Sequence, residues 1–117
     1  INTGWLSKAE MNLVYSVSDI TLVPSIYLDP FPTVALESMR LGVPVVISVY
    51  TGAKEAVIDG VTGFHVNPFD IDDAAGKVLK ILYDDQLRYS MADQSKKEFD
   101  KIFTLEKCIS QYLDLLV

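Results

Sequence analysis

The chain is poor in the residues that carry metal and disulfide chemistry. Cys108 is its single cysteine and has no partner for an internal disulfide. One cysteine with one histidine, His65, makes no zinc ligand set. Such sparing use of cysteine fits a reducing compartment. Basic residues are scarce as well: ten Lys and Arg stand against sixteen Asp and Glu, for a net charge of −6. A nucleic-acid footprint needs clustered Lys and Arg, so that class of partner is excluded. Long apolar runs are missing too. The longest, Val43 to Val49, is interrupted by Pro44 and Ser48, and a membrane-spanning helix needs about 20 apolar residues. No signal peptide, repeat or low-complexity segment is visible. The opening Ile1-Asn2-Thr3 has no initiator Met, which predicts an excised piece of a longer protein.

What is present is a core. Half of the 117 residues are apolar, which excludes disorder and allows one domain or part of one. Ser7 and Glu10 form a capping box, with Leu6 and Met11 at the staple positions, and predict a helix to about Val17. Its inner face is expected at Leu13, Val14 and Val17. Ile20 to Pro24 is apolar without alternation, as in a parallel strand covered on both faces. A helix is predicted over Thr33 to Leu41, with Gly42 at the left-handed C-cap and Pro44 preventing continuation. Val43 to Ser48 reads as a second strand. Lys54 to Ile58 reads as a short helix, and Phe64 to Val66 as a third strand.

The last third is helical. Asp70 caps a helix whose first turn holds Asp72 and Asp73 and whose stripe is Ala74, Ala75, Val78, Leu79 and Leu82. Asp84-Asp85 ends it. Gln86 to Lys101 follows, showing Leu87, Met91 and Phe99. The final helix, from Thr104, has Leu105, Cys108, Ile109, Tyr112, Leu113 and Leu116 on one face. The pattern predicts an α/β fold: a Rossmann-like parallel sheet with flanking helices over about 1–68, then a helical part over 69–117.

One stretch concentrates the chemistry, Asp29-Pro30-Phe31-Pro32-Thr33-Val34-Ala35-Leu36-Glu37. Two carboxylates, with seven residues between them, flank the junction of strand-loop and helix. In a doubly wound sheet, ligands sit outside the carboxyl ends of the strands. The helix N-terminus near Thr33 offers free N–H groups and the positive end of the dipole, which suit a phosphate. Glu37, one turn inside, accepts from a vicinal diol such as a ribose. The constellation describes a nucleotide diphosphate sugar. Each acid also has a plain reading: Asp29 as a turn residue before Pro30, Glu37 as a solvent-facing helix position.

The order and spacing of Ser18-Asp19, Pro24-Ser25, Asp29-Pro30-Phe31, Leu36-Glu37-Ser38-Met39, Gly42-Val43-Pro44-Val45-Val46, Gly52, Glu55, Gly60, Thr62-Gly63-Phe64, Asn67-Pro68 and Asp70 resemble one family. It is the group 1 retaining glycosyltransferases of GT-B fold, in their C-terminal donor-binding domain. Phe103-Thr104-Leu105-Glu106 resembles the segment before that family's last helix.

The resemblance implies that Asp29 contacts hydroxyls of the transferred sugar and Glu37 the nucleotide ribose. Backbone N–H groups near Phe31, Thr33 and Val34 face the sugar and diphosphate. Two departures stand out. Asp29 is one methylene shorter than the usual Glu. Pro32 replaces the usual Gly and has no N–H to offer.

The resemblance further implies a UDP-sugar donor, a hexose-type sugar and a glycan, lipid or polysaccharide acceptor. It implies neither metal nor cofactor. A basic pair that neutralises the diphosphate is expected to precede this chain, as is an acceptor-binding N-terminal domain. A cytoplasmic location follows, peripheral to the inner face of the membrane through that domain. The chain alone is expected to be inactive.

Other residues have two readings. Asp70-Ile71-Asp72 matches a metal-binding DxD pattern, but it stands at a helix start where Asp is a cap. Glu55 is either a first-turn acid favoured by the dipole or a donor-pocket residue. His65 is expected to point outward, and Cys108 to lie in the core. The rival functions are a GT-B epimerase or phosphorylase, a receiver-like signalling domain, and a nucleotide-sugar-binding module without catalysis. A phosphorylase needs a pyridoxal-phosphate lysine, which the context of Lys54 does not support. A receiver needs an acid following its strand, and Asp19 precedes one.

Overall fold

The structure, a computed structural model, describes residues 1–116. Val117, the last residue of the single span assigned from sequence, lies outside the described residues. The elements run α1 (Lys8–Ser16), β1 (Thr21–Val23), α2 (Thr33–Arg40), β2 (Val45–Ser48), β3 (Gly63–Val66), α3 (Ile71–Tyr83), α4 (Asp85–Ile102) and α5 (Leu105–Leu116). The three strands form a parallel sheet in the order β1-β2-β3. Parallel neighbours need a crossover, and α2 is the crossover between β1 and β2. This is the expected α/β arrangement.

Strand β2 is buried along its whole length because helices cover both faces of the sheet. Its side chains alternate between two apolar clusters, as the period of two requires. Val45 and Ile47 join Val23, Ala35, Met39, Ala53 and Val57 on one face, with Leu36 and Phe99 against them. Val46 joins Phe64, Val66, Ile81 and Met91 on the other. Burying each such side chain contributes about 1.5–3 kcal/mol. Among the described residues, no buried polar side-chain atom lacks a partner. Ser38 and Ser95 show how. Ser38 Oγ lies 3.0 Å from the Val43 carbonyl and 2.8 Å from Thr21 Oγ1, tying α2 to the sheet. Ser95 Oγ donates to the Thr62 carbonyl at 3.0 Å and ties α4 to the start of β3.

The helix boundaries follow local chemistry. The capping box of α1 is complete: Ser7 N–H donates to Glu10 at 2.7 Å and Glu10 N–H to Ser7 Oγ at 3.3 Å. Asp70 Oδ1 accepts from Asp73 N–H at 3.1 Å, so this acid is a helix cap. Gly42 has φ +71°, the left-handed conformation expected at the end of α2.

Six details differ from expectation. The strand expected within Ile20 to Pro24 to be covered on both faces stands at the edge of the described sheet, and its Leu22 is exposed. In α1, Leu13, Val14 and Val17 are exposed, and Tyr15 is the buried residue. The helix lies against α2 through its Met11–Tyr15 side, where Arg40 also donates to Asn12 at 3.2 Å. In α3, Ala75, Leu79 and Leu82 are exposed. Ala74, Val78 and Ile81 face the sheet, so the true stripe is rotated and narrower. The short helix expected over Lys54 to Ile58 is a 3-10 turn over Gly52–Glu55.

His65 does not simply point outward. Its Nε2 lies 2.6 Å from the Val57 carbonyl, and a carbonyl can only accept, so Nε2 carries a proton there. Cys108 is exposed rather than core, because none of α5 is buried among the described residues.

Candidate functional site

The site is built where the first crossover begins. After β1 the chain passes over the carboxyl end of the sheet and enters α2 at Pro32. Proline's fixed φ suits a helix start, and here φ is −67°. Its side chain cannot accept a hydrogen bond, so α2 has no side-chain cap. Among the described residues, α1, α3 and α4 each close their N-termini with an acceptor of their own, Ser7, Asp70 and Asp84. The amides of Thr33 and Val34, on exposed residues, therefore stand open to an external acceptor.

A neighbouring turn holds the Asp29 loop in place. Asp29 forms a parallel bridge with Thr51, and Gly52 N–H donates to the Asp29 carbonyl at 2.9 Å. The approach is so close that a Cβ on Gly52 would lie 1.8 Å from the Pro30 carbonyl oxygen. Only glycine fits. A residue in the loop after β2 thus sets the position of an acid in the loop after β1. Asp29 is half-buried, and Phe31 and Thr33 beside it are exposed.

Glu37 is half-buried on α2, one turn in from Thr33. Together with Val34 it lines a cleft of about 510 Å³ whose other walls are Asn2, Gly4, Trp5, Leu6 and Met11. The cleft is mostly apolar with one carboxylate at its side. Trp5 is exposed and stands beside it. Tyr15 lies close by with its ring buried. Its hydroxyl is 3.5 Å from the Val34 carbonyl. Burial, and then the charge and hydrogen bond of Glu37, hold the Tyr15 phenol above its ordinary value of 10.0.

The candidate residues thus fall into two groups joined by α2. Phe31, Pro32, Thr33 and Val34 form its open end, with Asp29 pinned on one side and Glu37 on the cleft side. Glu55 is exposed in the 3-10 turn that pins Asp29 and does not line the cleft. Sequence reasoning missed Trp5, Met11 and Tyr15. The available signal was a lone Trp in a glycine-containing segment ahead of a helix cap. Among the described residues, no group of three His, Cys, Asp or Glu lies close enough to hold a metal ion.

The sequence profile described as "Glycosyl transferases group 1" matches residues 1–98. A lipopolysaccharide 1,2-N-acetylglucosaminetransferase of Salmonella typhimurium is 33% identical over 97 residues, covering 82% of this chain and 25% of its own. Among solved structures, a sucrose-phosphate synthase from Thermosynechococcus elongatus superposes with TM-score 0.88 at 29% identity, over 97% of this chain and 28% of that one. The Anabaena protein HepE, solved in complex with UDP, superposes with TM-score 0.85 at 26% identity, over 93% and 30%. The chain spans about a quarter of the length of the curated relatives it matches.

Proposed function

This chain belongs to the group 1 glycosyltransferases of GT-B fold, and from that premise we propose that it carries the donor half of a retaining, metal-independent sugar transfer. The observation that carries the reading is the uncapped N-terminus of α2, held between Asp29 and Glu37. A diphosphate accepts from the open amides of Thr33 and Val34 and meets the positive end of the helix dipole. Glu37 accepts from the ribose hydroxyls. The base lies in the apolar cleft beside Trp5 and Leu6. Asp29 accepts from hydroxyls of the sugar. Pro32 offers no N–H, and the amides beyond it remain.

HepE was solved with UDP and with UDP-glucose, which supports a uridine diphosphate hexose as donor. The Salmonella relative builds lipopolysaccharide by its name, which supports a glycan or lipid-linked acceptor. In this reading the diphosphate leaves and the acceptor hydroxyl attacks from the same face. The protein's part is position and charge. None of the described residues lining the cleft is cationic. The chain by itself is a binding element rather than a complete catalyst. Glu55 borders the sugar subsite through the turn that holds Asp29.

The test is calorimetry on the full-length protein with UDP and UDP-sugars, repeated with Glu37→Ala. Loss of a charge-assisted bond to the ribose should weaken UDP binding about 10- to 100-fold. Unchanged affinity in that variant rejects the ribose assignment.

A further inference from the structure

We propose that Tyr50 and Phe69 form a stacking platform for a pyranose ring of the acceptor, set beside the donor site. The inference rests on the donor reading, which fixes where the transferred sugar sits, and adds a seat for the group that receives it.

Ligands of an open parallel sheet sit outside the carboxyl ends of its strands. Three loops run there, side by side in the order of the strands. The loop after β1 carries Asp29. The loop after β2 carries Tyr50 and Thr51, and Thr51 bridges to Asp29. The loop after β3 carries Asn67, Pro68 and Phe69. Tyr50 thus stands one residue from the bridge that holds the sugar acid. Its ring meets that of Phe69 near edge-to-face, with centroids 6.0 Å apart and planes at 66°.

The core does not hold these rings. Phe69 is 66% exposed and Tyr50 37%, while Val46, Phe64 and Val66 fill the neighbouring cluster. Ile71, the first residue of α3, is exposed as well. With Asn67, Phe69, Asp70 and Asp72 it lines an open hollow of about 560 Å³. Exposed apolar groups rimmed by polar ones mark ligand-binding surfaces. The turns that carry the rings are fixed by hydrogen bonds. Phe69 N–H donates to Asn67 Oδ1 at 3.1 Å, and Asp70 N–H to the Asn67 carbonyl at 2.9 Å. Tyr50 N–H donates to Oγ of the buried Ser48 at 3.2 Å. Turns ordered in advance leave less entropy to oppose binding.

The charge of the hollow selects the ligand. Asp70 closes the end of α3 with its own carboxylate, and Asp72 stands exposed nearby. None of the described residues lining the hollow is cationic, so an anion is repelled. A neutral ring with apolar C–H faces and a rim of hydroxyl donors fits, and that is a pyranose. Its C–H face lies on Phe69, and its hydroxyls reach the Asp72 carboxylate and the Asn67 carboxamide. Asp29 faces the transferred sugar in the donor reading, so the ring on the platform is the acceptor's.

The test is saturation-transfer NMR on the full-length protein saturated with UDP, with the methyl α-glycosides of glucose, galactose and mannose as probes. Wild type, Phe69→Ala and Phe69→Tyr are compared, and the UDP stoichiometry of each preparation, from calorimetry, counts the folded molecules. At least one glycoside should bind wild type and receive saturation at its ring C–H protons. Phe69→Ala should weaken that binding about 2- to 10-fold, and Phe69→Tyr, which keeps an aromatic face, should retain it. Wild type that takes up UDP but none of the glycosides, or equal glycoside binding by Phe69→Ala, overturns the inference and leaves the donor reading standing. Loss of affinity for UDP-glucose but not for UDP in Phe69→Ala puts the ring on the donor sugar and overturns the acceptor assignment. Wild type that binds no UDP rejects the donor reading, and the acceptor assignment falls with it.

Discussion

Helices α2 and α5 both carry apolar residues at helical spacing, and the fold treats them oppositely. In α2, Ala35, Ser38 and Met39 are buried, and the helix is packed between sheet and α4. In α5 none of the described residues is buried, although Leu105, Ile109, Tyr112, Leu113 and Leu116 share one face. The difference lies in the connection. Helix α2 joins two parallel strands and has to lie on the sheet they form. Helix α5 follows α4 after two residues, Phe103 and Thr104, and connects no two strands of the described sheet. An apolar stripe shows which side of a helix faces a partner. It does not show that a partner is there.

Three substitutions sharpen or break this contrast. The largest effect is expected from Met39→Ala on α2. Its side chain is fully buried against Val45 and Ile47, and truncation leaves a cavity. Urea unfolding should register a loss of about 2–5 kcal/mol. A loss below about 1 kcal/mol would remove α2 from its central place.

Gly52→Ala comes next, because it strikes the tie between the Asp29 loop and its neighbouring turn. The added methyl meets the Pro30 carbonyl, and overpacking of this kind costs about 1–3 kcal/mol. Thermal denaturation should show the loss, and calorimetry in the full-length protein should show weaker binding of UDP-sugar than of UDP. Equal weakening of both ligands would detach Asp29 from the sugar.

The smallest effect belongs to α5. Leu113→Ser, at an exposed position, should change the stability of this chain by no more than about 0.5 kcal/mol. A larger loss in urea unfolding would show that α5 packs on something in solution and would erase the contrast with α2.

Much of the fold was legible in the residue order. The capping box of α1, the Asp70 cap of α3 and the Gly42 stop after α2 all depend on atoms within a few residues of one another. The stretch from Asp29 to Glu37 was legible for a related reason. Pro32 and the two acids are neighbours in the chain, so their placement about a helix start is a local matter. The misjudged details depend on segments far apart. Tyr15 against Leu13 is a choice between two sides of α1, and α2 made it. The exposure of Cys108 records what α5 lacks around it. Trp5 reaches the cleft of Glu37 across more than thirty positions.

The sequence by itself therefore determined the element order, the α/β class and the acid pair around a helix start, since local hydrogen bonds and apolar periodicity suffice for these. Only the tertiary structure decided that Gly52 holds the Asp29 loop and that a tyrosine of α1 reaches the Val34 carbonyl of α2. The physical reason is that each is a contact between chain segments that the parallel sheet brings together, and no single segment contains both sides of it.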